Sequence, residues 1–339
     1  MKVLVTGAGG NLARVVVPTL AAAGHTPRLL DFRPIDTAHE LLQGDVRNPN
    51  DLARAVDGVD AVVHAAALHG IHRDHWSTRD FWAINVDGTF NLYEAATTKV
   101  AKVVLASSMA VYGAGLPPPA DAWGIVTEDS PVLPGDEYGL SKWLGEELAR
   151  YHARRHQLPT VALRLGMFVP ETFERYGFRL LFGGVDDRDV AQAVLLALEH
   201  EPAGGFDVVD VMAEVPFHPG DTAELQADPA AVLERYWPCC ITLLHDRGLE
   251  LEELLWGRPI WQIGKAKRVL GYRPGHNFGE FLTALRAGDT GYYPFANLPW
   301  WGRLRCRSQS QLRMSRSRFQ GTVHPRPTVQ ATPAPGDDR

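Results

Sequence analysis

Tyr138 and Lys142 stand four positions apart in the run Y-G-L-S-K. On a helix this spacing places both side chains on one face. A phenol has an unperturbed pKa of about 10, so it acts as a base near neutral pH only beside a cation. Such a pair can take a hydroxyl proton while a hydride leaves the same carbinol carbon. Ser108 ends the apolar run K-V-V-L-A-S-S at 102–108 and can hold the reacting oxygen. Ser107 points the other way along an extended chain and is the weaker anchor. The plain structural alternatives are an ordinary amphipathic helix for Tyr138 and Lys142, and a turn-capping hydroxyl for Ser108.

A hydride needs an acceptor, and T-G-A-G-G-N-L-A at 6–13 has the form of a dinucleotide-binding turn. Gly7 lets the chain reverse, Gly10 lets the backbone approach a pyrophosphate, and Ala13 lets the helix pack near the strand. Asn11 and Leu12 open that helix, where free N–H groups face phosphate. Asp31 ends the second strand, roughly 20 residues beyond the turn, and can accept hydrogen bonds from an adenosine ribose. This favours NAD. Arg33 could pair with a 2′-phosphate, so NADP is not excluded. Asp45 and Val46 can flank the adenine, or Asp45 can cap the next helix. Ala65, Ala66 and Ala67 are small enough for backbone to approach the cofactor. Asn85 reads either as a buried amide tying helix to strand or as a cofactor contact.

These residues sit on alternating strands and helices. Strands are expected at 2–6, 27–31, ending near 43–46, at 60–66, 102–108 and 159–165, with helices at 11–23, 49–57, 78–97 and through Tyr138 to about 156. Strands apolar on both faces suit a parallel sheet covered on both sides. The sequence therefore predicts an α/β fold, a Rossmann-type doubly wound parallel sheet with a small C-terminal substrate lobe. Residues 1–170 form the dinucleotide-binding domain with the catalytic residues. Residues 171–302 supply the substrate lobe and return elements to the sheet, among them a helix at 187–199, a strand at 205–211, and helices within 229–247, 263–271 and 278–287. Residues 303–339 are rich in Arg, Ser, Gln, Pro and Thr and are expected to be a disordered tail. Its arginines read as solvated, or as contacts for an anionic partner.

The 339 residues carry a net charge of -6, with 45% hydrophobic and 22% charged residues, ordinary for a soluble enzyme. That charge gives no broad attraction to nucleic acid or membrane. Cys239, Cys240 and Cys306 cannot build a disulfide framework, which suits a reducing cytoplasm. No signal peptide is expected at the start, and no run approaches the roughly 20 apolar residues of a membrane span.

The ordered set T-G-A-G-G-N-L-A, Asp31, G-D-V, H-A-A-A, N-V-D-G-T, S-S-M-A-V-Y-G and Y-G-L-S-K resembles the extended short-chain dehydrogenases/reductases, the NAD-dependent epimerase/dehydratase family. The resemblance covers about residues 1–287 and thins after Pro170. It implies that Tyr138 is the acid/base, that Lys142 lowers its pKa and holds the nicotinamide ribose, and that Ser108 bonds the reacting oxygen. It implies a sugar or nucleotide-sugar substrate and a homodimer packed through 78–97 and 136–156. The dehydratase branch carries Asp-Glu after the anchoring residue. Here Met109 and Ala110 stand there, and neither can move a proton. The short stretch from Lys142 to G-V-D-D-R-D-V looks like the uronate dehydrogenases, which oxidise free sugar acids, although those enzymes place Asn-His where this chain has Met-Ala. The stretch 218–261 and W-Q-I-G-K-A-K-R-V-L-G-Y-R-P, which resembles the C-terminal region of the epimerases, could rebuild a nucleotide pocket.

The function expected is hydride transfer at a sugar carbinol, as an epimerase or as a dehydrogenase releasing NADH. A non-catalytic dinucleotide-binding regulator is the reading of another class. Met109 and Arg179 are the candidate substrate contacts. A guanidinium pairs bidentately with carboxylate or phosphate, though Arg179 also reads as a surface arginine. Arg164 reads as a structural ion-pair partner. His64, His69, His72 and His75 lack helical pairing and a Cys cluster, so no metal is expected; His69 or His72 could line the substrate mouth.

Overall fold

Val3, Leu4 and Val5 alternate across β1 (Lys2–Thr6), Val3 and Val5 entering one apolar layer and Leu4 the other. The computed structural model describes residues 1–113, 121–251, 259–296 and 298. The same two-sided burial runs through β2 (Thr26–Asp31), β4 (Ala61–His64), β5 (Lys102–Ser108), β7 (Thr160–Leu165) and β8 (Phe206–Val211). With β3 (Glu40–Gln43) these strands form one parallel sheet in the order β3-β2-β1-β4-β5-β7-β8. Two three-residue strands, β6 (Gly124–Val126) and β9 (Pro259–Trp261), pair separately.

One face is covered by α1 (Asn11–Ala22), through Leu12, Val16 and Leu20, and by α7 (Asp187–Glu199), through Val190, Val194 and Ala197. The other is covered by α2 (Pro49–Ala55), α4 (Gly88–Ala96) and α5 (Glu137–His156), through Leu52, Leu92, Tyr93 and Ala149. The chain winds outward from β1 to β3, then returns to lay β4 against β1. Ligands of such sheets sit beyond the carboxyl ends of the strands at this reversal.

The helical segment before β5 is not uniform. The short α3 (Thr78–Phe81) passes into a π-turn at Trp82–Asp87 before α4. Beyond β7, a second apolar core gathers Phe173, Tyr176 and Phe178 of α6 (Phe173–Arg179) with Leu225, Val232 and Leu244 of α8 (Thr222–Ala227), α9 (Pro229–Tyr236) and α10 (Cys240–Asp246), and with Phe278 and Phe281 of α11 (Phe278–Ala287). Trp123 and Ile260, next to or within the small strand pair, join this core. Residues 1–301 cluster as one compact unit. The expected tail at 303–339 lies outside the described residues, as does Cys306.

Three elements differ from the sequence reading. β3 covers 40–43, because Gly44 already turns to donate its N–H to the Asp31 carbonyl. α6 is a helix for which the sequence reading marks no element. The segment 261–274 packs Ile263, Ala266, Leu270 and Tyr272 into the main sheet core, with the Tyr272 hydroxyl donating to the Met212 carbonyl, so these side chains are spent on packing.

Candidate active site

The glycine turn follows β1 directly. Gly7 has φ +67, and a Cβ there would come within 2.7 Å of the Ala66 backbone. The turn and the chain after β4 are thus in contact, and both Ala65 and Ala66 donate N–H to the Thr6 hydroxyl at 3.2 Å. Gly10 precedes α1 without a side-chain cap, and the first turn of that helix holds no acidic residue. The amides at Asn11 and Leu12 have no intrahelical partner. Asp31 receives the Gly9 N–H at 2.9 Å and a fork from the Arg33 guanidinium at 2.9 and 3.1 Å. An uncapped helix start behind a backbone-tight glycine turn, with a carboxylate across it, fits a dinucleotide's pyrophosphate and ribose.

Asp45 is held by Arg47 at 3.0 Å. The cap of α2 is Asn48, which accepts from Asn50, so helix capping is not the role of Asp45. Val46 packs on Gly88, where an added Cβ would be 2.7 Å away, and its carbonyl accepts from Asn91.

Tyr138 lies in the first turn of α5, behind the N-cap Asp136. Its ring is buried against Leu68 and Phe81, with the His69 ring centroid 4.7 Å away. Lys142 follows one turn later, its Nζ 5.9 Å from the Tyr138 ring centroid and donating to the Ala106 carbonyl at 2.8 Å. The Ser108 hydroxyl caps the turn at Met109–Val111 by accepting from the Ala110 N–H at 3.2 Å. The same hydroxyl is near enough to the Tyr138 phenol to favour its ionised form. Ser107 points away and donates to Glu146. Ser108, Tyr138 and Lys142 are therefore together at the carboxyl edge of the sheet.

The electrostatics differ from the simplest expectation. Burial pushes the Tyr138 phenol up to about 12, with Ser108 acting in the opposite direction. Burial also pushes Lys142 down to about 8, Glu146 opposing it. The ammonium is engaged with Ala106 and does not acidify the phenol by itself. A proton acceptor at Tyr138 needs further positive charge nearby.

Three hydrogen-bonded supports stand behind these residues. Thr89 donates to the Asn85 carbonyl at 2.6 Å, so its oxygen accepts from His64 Nε2 at 3.0 Å; His64 Nδ1 then accepts from Thr6 at 2.8 Å. Burial holds His64 neutral, at about 3. Asn85, on the π-turn, bonds both main-chain groups of Leu68 and the Ser141 hydroxyl, which makes it the tying amide. His69 and His72 use their Nδ1 atoms to accept main-chain N–H groups. Trp261 Nε1 is buried without a partner, and it and Met109 Cε lie 2.6 and 2.9 Å from the position of a Cβ on Gly183. Trp261 ends β9, a three-residue strand that the sequence reading does not mark, although the W-Q-I-G-K run it opens is singled out there.

Arg179, weighed from the sequence as a substrate anion contact or a surface residue, is neither. It is 2% exposed, donates to the Val169 carbonyl, and faces Glu171 at 3.3 Å and Asp187 at 3.7 Å. Tyr176 and Tyr293 stack on each other 3.9 Å apart beside it, each ring centroid 5.4 Å from the guanidinium. Such a site demands a permanent, planar cation, and its charge is consumed inside the protein. Arg164 is a buried partner of Glu146.

A parallel sheet with this turn and this serine, tyrosine and lysine at one edge defines a Rossmann protein of the short-chain dehydrogenase/reductase type. Residues 3–175 match the NAD dependent epimerase/dehydratase family, and the chain belongs to it. It is 33% identical over 179 residues to the uronate dehydrogenase of Pseudomonas syringae pv. tomato, covering 51% of this chain and 62% of that protein. It is 30% identical over 305 residues to the NAD-dependent glucose-6-phosphate dehydrogenase of Haloferax volcanii, covering 82% of this chain and 95% of that protein. The fold matches a crystal structure of a short-chain dehydrogenase/reductase superfamily protein from Agrobacterium tumefaciens with bound NAD, at a TM-score of 0.65 and 25% identity, over 86% of this chain and 99% of that one. The chain spans less than two thirds of the length of the uronate dehydrogenase it matches. Among the described residues no helix is long and apolar enough to cross a membrane.

Proposed function

We propose that this chain is an NAD-dependent dehydrogenase that oxidises a carbinol of a free sugar or sugar acid. The observation that carries the reading is the gathering of Ser108, Tyr138 and, one helical turn on, Lys142 at the edge that also holds the glycine turn. A nicotinamide dinucleotide, when bound, supplies the hydride acceptor and a positive charge. Gly7, Gly10, Asn11 and Leu12 would hold its pyrophosphate, Asp31 its adenosine ribose, and Ala65 and Ala66 would line its path. Lys142 holds the neighbouring ribose. Ser108 orients the substrate oxygen, and Tyr138 takes the hydroxyl proton as the carbonyl forms.

Two further features support a dehydrogenase on a small sugar. The two curated relatives just described are both dehydrogenases. In the segments that could have rebuilt a nucleotide pocket, the described side chains Leu225, Val232, Leu244, Ile263 and Leu270 are spent on packing. A cytoplasmic location belongs to the same reading, as does homodimerisation. Trp82, Phe90, Leu140 and Tyr151, all exposed, lie on the two helical segments through which pairing is proposed.

The test is incubation with NAD or NADP and a panel of uronates, aldoses and sugar phosphates, following the absorbance of reduced nicotinamide. Turnover that Tyr138→Phe abolishes, with NAD binding kept, is the expected result. An epimerase uses the same relay without net redox, and the family description covers that branch. NAD retained in native mass spectra, with no reduced cofactor released on any sugar, would replace the dehydrogenase reading by that one. Cofactor binding without conversion of any substrate would identify a non-catalytic binder.

A further inference from the structure

At the far end of α5 from Tyr138, three side chains of metal-ligating type meet. Glu94 of α4 and His152 and His156 of α5 each present a donor atom, and the three atoms lie within 4.8 Å of one another. Fourteen residues of helix, about 21 Å at 1.5 Å per residue, separate His152 from Tyr138, so the cluster is remote from the site above.

His152 is fully buried, and its Nε2 has no hydrogen-bond partner. Its tautomer follows from its surroundings. The Thr97 hydroxyl donates to the Tyr93 carbonyl at 2.8 Å, so its oxygen is left to accept from His152 Nδ1 at 3.3 Å. The Nδ1 proton then leaves Nε2 with a bare lone pair, aimed at Glu94, whose Oε1 is 3.6 Å away. A buried polar atom without a partner is uncommon and asks for an explanation.

We propose that Glu94, His152 and His156 form a divalent transition-metal site of the kind that takes Zn2+, with an open position toward solvent. Two histidines and a carboxylate are a zinc ligand set, and zinc sites with three protein ligands keep one position open. Donors around a tetrahedral ion with Zn–N of about 2.0–2.1 Å lie roughly 3.3 Å apart. Contraction to that spacing is open to Glu94 and His156, which are exposed, while His152 stays fixed. The imidazoles are oriented by the rings beside them: Tyr93 and Tyr151 lie 5.2 and 5.3 Å from His152, and His156 lies 5.1 Å from it. The donors also stand at the C-terminal end of a 20-residue helix, where the backbone dipole favours a cation. A metal there would staple α4 to α5. The histidines weighed from the sequence, His64 to His75, are not these.

The test uses the full, tag-free chain titrated with Co2+, then with Zn2+ as competitor. One equivalent of Co2+ should bind with visible ligand-field absorption, Zn2+ should displace it, and the melting temperature should rise with Zn2+. His156→Ala and Glu94→Gln, both at exposed positions, should fold normally and lose at least about tenfold in affinity, since even outer-shell partners are worth roughly 10–100-fold. Absence of Co2+ and Zn2+ binding at 100-fold excess (order of magnitude,), or binding unchanged in both variants, would overturn the proposal.

Discussion

Arg164 donates to both oxygens of Glu146, at 2.9 and 2.8 Å, in a fully buried pair joining β7 to the helix that carries Tyr138 and Lys142. Glu146 also accepts from Ser107, the neighbour of Ser108. Arg164 continues to the Tyr112 hydroxyl at 2.8 Å, and that hydroxyl donates to Asp210 on β8. The network fixes the rotation of α5 against β5 and so the distance between phenol and serine.

Removing one partner of such a pair leaves an uncompensated buried charge, which costs about 3–5 kcal/mol. Glu146→Ala should therefore lower unfolding free energy in guanidinium by that order. Glu146→Leu combined with Arg164→Met should recover most of it, because no charge is then stranded. Turnover should stay low in the double variant, since α5 loses its register. Full activity there would show that the pair serves stability alone.

Lys142 gives a pH signature of stability. Its folded pKa is depressed to about 8, against about 10.4 in an unfolded chain. Between those values the unfolded chain binds a proton that the folded one does not, so stability rises with pH across that window. Below about pH 8 the buried ammonium penalises the fold in full. Lys142→Met should thus be more stable than the parent at pH 7, with the gap narrowing from about pH 8 to 10.4. A constant gap would mean that Lys142 keeps an ordinary pKa.

On the proposed function, Asp31 and Arg33 would set the cofactor preference together. The carboxylate holds the Gly9 amide and the guanidinium at once, and a Cβ on Gly9 would come within 2.5 Å of the Arg33 side chain. Asp31→Ser removes a charged acceptor worth about 1.5–3 kcal/mol. The KM for NAD should rise roughly 10–100-fold, while Arg33, released from its carboxylate, improves the use of NADP. If NAD and NADP parameters fall in equal proportion, Asp31 acts only through the turn.

The site was legible in the sequence wherever local chemistry sets position. Gly7 must reverse the chain, Asp31 ends a strand, Ser108 and Tyr138 occupy an element end and a helix start, and Lys142 follows by one turn. Long-range packing was not legible. Arg179 looks like an anion hook until Asp187, Tyr176 and Tyr293 close around it. The π-turn at Trp82–Asp87 lies inside a continuous helical stretch, and a single widened turn is too short to show as a period of its own. β6 and β9 are three residues each and far apart in the chain, too short for any period to show. His152 and His156 have helical spacing in the sequence, but only packing brings Glu94 to them.

Trp261 is the product of that packing, and it carries the last prediction. Its indole N–H is buried without a partner, and it packs with Met109, the residue after Ser108, so closely on Gly183 that a Cβ there would lie 2.6 Å from Nε1. Buried donors in folded proteins are almost always paired. A substrate hydroxyl or carboxylate reaching past Ser108 would pair this one, while Tyr112, at 5.6 Å edge to face, holds the ring in place. Trp261→Phe keeps the packing and deletes the donor. A neutral hydrogen bond of about 1 kcal/mol corresponds to roughly fivefold. The KM for the productive sugar should rise by about that factor with kcat little changed. An unchanged KM in normally folded Trp261→Phe would leave the indole a packing residue only.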